Sequence, residues 1–226
     1  MYIKHLIQRG EGLTLDFKDQ INDLPKIAKT LVAFANTRGG KLLIGVKDSG
    51  RIGGMRTEEE FYMIESAAFR YCKPEVPFSA KEHLIDDKIV LEVDIPEGEN
   101  KPYFALDSRG KGWLYVRIAD ENIMGNKVLL EVMRRLAHKQ PTKVHYTEQE
   151  RWLLHYLQDH ETISQREFQQ KARISYFKAQ RILINLLALQ LLDILLISGR
   201  DARYQLKDRV RPEGPRPFEI RTLENT

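Results

Sequence analysis

Two short strings carry residue types at spacings suited to phosphate chemistry. Leu13-Thr14-Leu15-Asp16-Phe17-Lys18 alternates apolar and polar residues, the period of a half-buried strand. On that pattern Leu13, Leu15 and Phe17 face inward and Thr14, Asp16 and Lys18 face outward. A carboxylate and an ammonium then share one face and can act on one phosphate; a solvated ion pair is the competing reading. The second string, Ser175-Tyr176-Phe177-Lys178-Ala179-Gln180-Arg181, opens a helical stretch. Tyr176, Lys178, Gln180 and Arg181 are its solvent-facing candidates for nucleic-acid contact. Phe177, Ile182, Ile184, Leu186, Leu187 and Leu191 are expected to carry core and interface. Arg200 and Arg203 follow in a hairpin whose tip would meet phosphate. Asn36 and Arg38, at the end of an earlier helical stretch, line a further polar surface. Trp113 and Tyr115, two apart on a strand, have faces for base stacking, with core packing the favoured use.

Other chemistry is argued against by order and spacing. Gly39-Gly40 follows a helix and precedes a strand, whereas a phosphate loop needs strand, glycines and then a helix N-terminus. The pair reads as helix stop and tight turn. The six histidines show no zinc spacing, and Cys72 is the lone cysteine, which excludes an internal disulfide and a cysteine-built zinc site. With 226 residues, 42% hydrophobic and 30% charged, the composition suits one or two ordinary soluble domains. No apolar run is long enough to span a membrane, and the N-terminus lacks a signal-peptide pattern, so a cytoplasmic protein is expected.

Net charge is +4 overall, too small to argue for a nucleic-acid partner. Its distribution says more. Between Ser164 and Arg211 ten basic residues face four acidic ones, a local +6, which suits phosphate.

The elements that position these residues can be read from caps and periods. A helix capped by Asn22 or Asp23 runs to Asn36; a strand follows at Lys41–Val46, and a helix capped by Thr57 runs to Tyr71. Phe78–Leu84 and Lys88–Ile95 form a hairpin around Asp86-Asp87, Gly112–Ile118 is a strand, and Lys127–His138 a helix. Beyond a polar linker come helices at Glu148–Gln158, Ser164–Ala172 and Tyr176–Gln190 and strands at Ile194–Ile197 and Ala202–Leu206. Three helices and a hairpin are the outline of a winged helix. A protein-interaction winged helix, its leucine-rich third helix serving dimerisation, is the competing reading; the charge excess on these elements favours DNA contact.

Glu11-x4-Asp16-Phe17-Lys18, the block Ala33-Phe34-Ala35-Asn36-Thr37-Arg38-Gly39-Gly40-Lys41-Leu42-Leu43-Ile44-Gly45, Lys101-Pro102-Tyr103 and Tyr115-Val116-Arg117 together resemble the Schlafen-type AlbA-like domain. The resemblance implies a compact α/β (α+β) nucleic-acid-binding domain with a mixed sheet, found before winged-helix domains in bacterial transcriptional regulators and helicase-related proteins. It also implies the acidic site of Schlafen ribonucleases, whose matching positions are Glu11, Asp16 and Asp48, with Lys18 beside them and Mg²⁺ or Mn²⁺ as the metal. Asp16 stands where that family has Glu. The expected organisation is an AlbA-like domain over 1–138, a linker at 139–146, a winged helix over 147–208 and a tail at 209–226. The expected function is DNA binding in transcriptional regulation, needing no cofactor, by a homodimer whose partner is DNA rather than RNA. A metal-dependent endonuclease is the first alternative and a protein-interaction module the second.

Overall fold

The computed structural model describes residues 2–55, 59–138, 147–197, 201–207 and 220–221. The chain forms two compact units, Met1–Met124 and Gly125–Thr226.

The first unit opens with α1 (Tyr2–Arg9), then β1 (Leu15–Lys18), α2 (Leu24–Asn36) and β2 (Gly40–Ile44). Asp23 caps α2 by accepting from Lys26 N at 3.0 Å, and Pro25 sits in the first turn, where its missing N–H costs nothing. The helix stops where the diglycine stands. Gly39 has φ +69°, and a Cβ there would lie 2.6 Å from Ile95 O; a Cβ on Gly40 would lie 2.6 Å from the Phe34 ring. Gly39 is therefore required by the backbone and Gly40 by packing against the Phe34 ring, which accounts for both without a ligand.

There follow α3 (Glu59–Tyr71), β3 (Cys72–Lys73), β4 (Ser79–Ile85), β5 (Lys88–Ile95), β6 (Phe104–Leu106), β7 (Gly112–Ile118) and β8 (Glu121–Met124). Thr57, the expected cap of α3, lies outside the described residues. β4 and β5 turn through Asp86 and Asp87, both left-handed at φ 50° and 59°, as a two-residue hairpin loop requires. One sheet has the order β1-β2-β5-β4 and is mixed: β1 runs parallel to β2, and the other pairs are antiparallel. The other, β3-β6-β7-β8, is antiparallel. α2 lies between them: Leu31, Phe34 and Ala35 share a core with Leu42, Ile44, Val93 and Ile95 of one sheet and Ala105 and Tyr115 of the other. A separate apolar cluster joins Ile3 and Leu6 of α1 to Phe17, Leu43 and Val90 on the opposite face of the mixed sheet.

The second unit begins with α4 (Lys127–Ala137), capped by Asn126, which accepts from Leu129 N at 2.9 Å. Sequence reading attached this helix to the first unit; it packs along α7 and belongs to the second. Next come α5 (Glu148–Asp159), β9 (Ile163–Ser164), α6 (Gln165–Lys171), α7 (Tyr176–Ala188), β10 (Leu192–Leu196), β11 (Ala202–Leu206) and β12 (Ile220–Arg221). The expected linker lies outside the described residues. β10 and β11 form the expected hairpin, β9 pairs antiparallel with β11, and β12, from the segment expected to be a tail, pairs parallel with β10. Among the described residues no helix is long and apolar enough to cross a membrane.

Candidate functional site

Asp16 does not face solvent. Its side of β1 looks toward β7, and its residue exposure is 4%, beside Arg117 at 1%. Arg117 donates from Nη2 to Asp16 Oδ1 at 3.1 Å and to Leu15 O at 3.2 Å, from Nε to Gly12 O at 3.1 Å, and from Nη1 to Asn122 Oδ1 at 3.1 Å. Its guanidinium stands 5.1 Å from the Phe34 ring centroid. Lys18 Nζ lies 2.9 Å from Asp16 Oδ2, an electrostatic contact without hydrogen-bond alignment; its well-formed bond is to Phe17 O at 2.6 Å. The expected outward face of Asp16 and Lys18 is thus half right. They share a face, and that face is covered at Asp16 by a strand a hundred residues away in the chain.

Glu11 joins this pair. Its Oε1 accepts from Phe17 N at 2.8 Å. Burial raises its pKa; the Phe17 hydrogen bond acts against this, the neighbouring Asp16 charge adds to it, and the net direction is up. Asp48 is exposed on the turn after β2. Among the described residues no three His, Cys, Asp or Glu are grouped to hold a metal. Arg117 and Lys18 already neutralise Asp16, and a dication set beside them meets like charge. Glu11, Asp16 and Lys18 are brought together, Asp48 is not, and the donor set does not fit a metal centre.

Asn36 is a structural hub rather than a surface reader. It is 4% exposed and donates through Nδ2 to Tyr103 O at 2.9 Å and Tyr115 O at 2.8 Å, while Oδ1 accepts from Tyr103 N at 2.8 Å. Thr37 Oγ1 accepts from Arg117 N at 2.8 Å, and Lys101 Nζ donates to Thr37 O at 2.9 Å. The end of α2 is therefore laced to the Lys101-Pro102-Tyr103 and Tyr115-Val116-Arg117 strings. Arg38, one residue beyond, is exposed. Trp113 is partly buried, donates to Asp107 Oδ2 at 2.9 Å and carries Lys111 Nζ 4.1 Å from its ring centroid; Tyr115 is 8% exposed. Both are packed as core side chains.

Sequence reading missed a further cluster under α1. Glu92, 7% exposed, accepts from the Tyr2 hydroxyl at 2.8 Å, pairs with Lys41 Nζ at 2.8 Å and meets His83 Nε2 at 2.7 Å. Burial acts to raise its pKa, but the bonds from Lys41, Tyr2 and His83 outweigh it and the net direction is down. The signal was faint: Lys41 and Glu92 lie on strands paired in the same sheet, but Tyr2 comes from a helix of eight residues, too short to display a period.

In the second unit Ser175 caps α7 by accepting from Lys178 N at 3.2 Å. Tyr176 is 46% exposed, Arg181 is exposed, and Lys178 and Gln180 are half-buried. Phe177, expected in the core, is 78% exposed, and Leu191 is 41% exposed. The reason is angular: Ala179, Ile182, Leu183, Leu186 and Leu187 form the inner stripe of α7, and at about 100° per residue Phe177 falls on the other side. Arg203 is not free for phosphate. It donates from Nε to Thr162 Oγ1 at 2.7 Å and from Nη2 to Glu167 Oε2 at 3.0 Å; the Ser164 N–H first, and Arg203 with it, hold the Glu167 carboxyl below its usual range. Arg200 lies outside the described residues.

The residues from Glu11 through the end of β8 are those matched, as residues 11–124, by the family described as Schlafen, AlbA_2. The match spans just over half of the chain, which belongs to the Schlafen AlbA_2 family. Solved structures similar over about half of it include these two. The DIP2311 protein of Corynebacterium diphtheriae is 20% identical with a TM-score of 0.43, covering 54% of this chain and 27% of that one. The N-terminal domain of a RecG-related protein of Nitrosomonas europaea is 21% identical with a TM-score of 0.38, covering 47% and 80% respectively. The chain thus corresponds to about a quarter of the length of the first. No curated protein matches the chain.

Proposed function

We propose that this is a nucleic-acid-binding protein whose second unit is a winged helix-turn-helix that docks on duplex DNA, and that it acts in transcriptional regulation as a homodimer. The observation that carries the reading is the exposed start of α7. Tyr176, Lys178 and Arg181 stand on the first two turns of a capped helix, reached from α6 through Arg173 in the left-handed conformation at φ 52°. The recognition helix of such motifs presents its N-terminal residues to base edges. The basic excess around α6, α7 and the hairpin supplies the electrostatic part of binding. Family membership of the first unit supports a nucleic-acid role for the whole chain.

The test titrates the protein into labelled duplex DNA at several salt concentrations. Affinity should fall steeply as salt rises, and Lys178→Glu with Arg181→Glu should weaken binding by about tenfold or more, since each lost phosphate contact removes part of the counterion-release energy. Unchanged affinity in the double variant overturns the reading. The nuclease alternative, at Glu11 and Asp16, is tested by parallel incubations with Mn²⁺ and with EDTA: metal-dependent cutting lost in Glu11→Gln, which leaves the Asp16–Arg117 pair in place, would replace regulation with catalysis.

A further inference from the structure

A groove of about 460 Å³ runs between α4 and α7 in the second unit. Positions 127, 130, 131, 134 and 135 form one wall and 177, 180, 181 and 184 the other, the spacing of a single face on each helix. Leu130, Phe177 and Ile184 give the groove its apolar surface, and Lys127, Arg134 and Arg181 are exposed cations around it. Among the described residues none of these three cations has an ion-pair partner. The other two charges are turned on each other: Arg135 Nε lies 3.6 Å from Glu131 Oε1, and Arg135 Nη1 donates to Asn185 Oδ1 at 2.6 Å.

A scattered exposed aromatic needs no explanation. Phe177 is different because it is 78% exposed in a concavity ringed by cations that have no ion-pair partner among the described residues. An aromatic face with lysine and arginine beside it is how proteins hold unpaired nucleotides, the base stacking on the ring and the phosphates meeting the cations. Dimensions favour a single strand. A concavity of about 460 Å³ has room for a base and its neighbouring backbone and not for a duplex. The apolar surface also favours it: three side chains support one planar base, whereas an amphipathic peptide helix needs a row of pockets for anchors at i, i+3, i+4 and i+7.

We propose that the α4–α7 groove binds an unpaired segment of nucleic acid, with a base stacked on Phe177 and flanking phosphates on Lys127, Arg134 and Arg181. The inference rests on the reading of the second unit as nucleic-acid-binding and adds to it a single-strand site in which α4 takes part.

The test measures fluorescence anisotropy of labelled oligothymidylate, a labelled duplex and a labelled oligoglutamate peptide with the full chain. Stacking is worth about 1–3 kcal/mol per base, so Phe177→Ala should weaken oligothymidylate binding by about tenfold or more. Phe177→Trp should retain binding, Arg134→Glu should weaken it, and duplex affinity should stay unchanged in Phe177→Ala. If Phe177→Ala binds oligothymidylate like the parent protein, or loses strand and duplex equally, the groove is not a single-strand site. Duplex binding that remains sensitive to Lys178→Glu would then leave the duplex reading standing, whereas binding of neither DNA overturns both. Phe177-dependent capture of the acidic peptide in place of oligothymidylate assigns the groove to protein and overturns the inference.

Discussion

Replacing Arg117 by Met tests whether the family's Tyr-Val-Arg string is structural. Methionine keeps the length of the stem and its packing against Phe34 while removing a guanidinium that donates to Gly12 O, Leu15 O, Asn122 Oδ1 and Asp16 Oδ1. Breaking a buried ion pair from one side costs about 3–5 kcal/mol, because the other charge stays buried. Lys18, 2.9 Å from Oδ2 and 25% exposed, offsets part of this, which sets the expectation near the lower end, about 3 kcal/mol. With urea slopes of about 1–3 kcal/mol/M for small domains, the midpoint should fall by roughly 1–3 M. The assay uses Cys72, fully buried in the first unit, its thiol pushed up by burial to about 12. Its labelling by a thiol reagent in urea reports the opening of that unit without signal from the second, which a two-unit chain requires. The exposed Arg109→Met serves as control and should stay within about 0.5 kcal/mol. Asp16→Leu combined with Arg117→Met should recover part of the loss, since no uncompensated charge remains. An Arg117→Met effect within about 1 kcal/mol of the control would refute the buried hub.

Two further outcomes follow from single residues. Gly39→Ala places a Cβ 2.6 Å from Ile95 O at φ +69° and should destabilise the first unit by about 1–3 kcal/mol in the same labelling experiment. The Glu11 carboxyl is raised on folding, by burial first and with Asp16 adding to it. A group whose folded pKa is raised contributes stability below its unfolded value and loses it as pH rises through the folded one. Glu11→Gln should therefore raise the midpoint at neutral pH and flatten the decline that begins just above the ordinary glutamate range. A midpoint unchanged at neutral pH would show that Glu11 carries no such strain.

What could be read from the sequence was local. The cap at Asp23 and the Asp86-Asp87 turn act within a few residues, and their elements, like the helices α6 and α7, stand where expected. What could not be read depends on partners far along the chain. β6 and β8 are strands of three and four residues, defined by pairing with β7 more than by their own composition. Asp16 and Arg117 are 101 residues apart, and alternation in β1 alone cannot tell a solvated polar face from one covered by a second sheet.

The same nonlocality bears on how the family strings should be used. Asn36, Thr37, Lys101, Tyr103, Tyr115 and Arg117 bond to one another's side chains and backbone around the end of α2, and Arg117 reaches Asp16 from there. These bonds give the strings a structural role in this chain without any ligand being required of them. Lys127, Arg134 and Arg181, without an ion-pair partner among the described residues and set around the exposed Phe177, lie in the second unit, outside the matched residues 11–124. The Phe177 variants test the second unit directly, and Glu11→Gln tests whether the first adds chemistry to its scaffold.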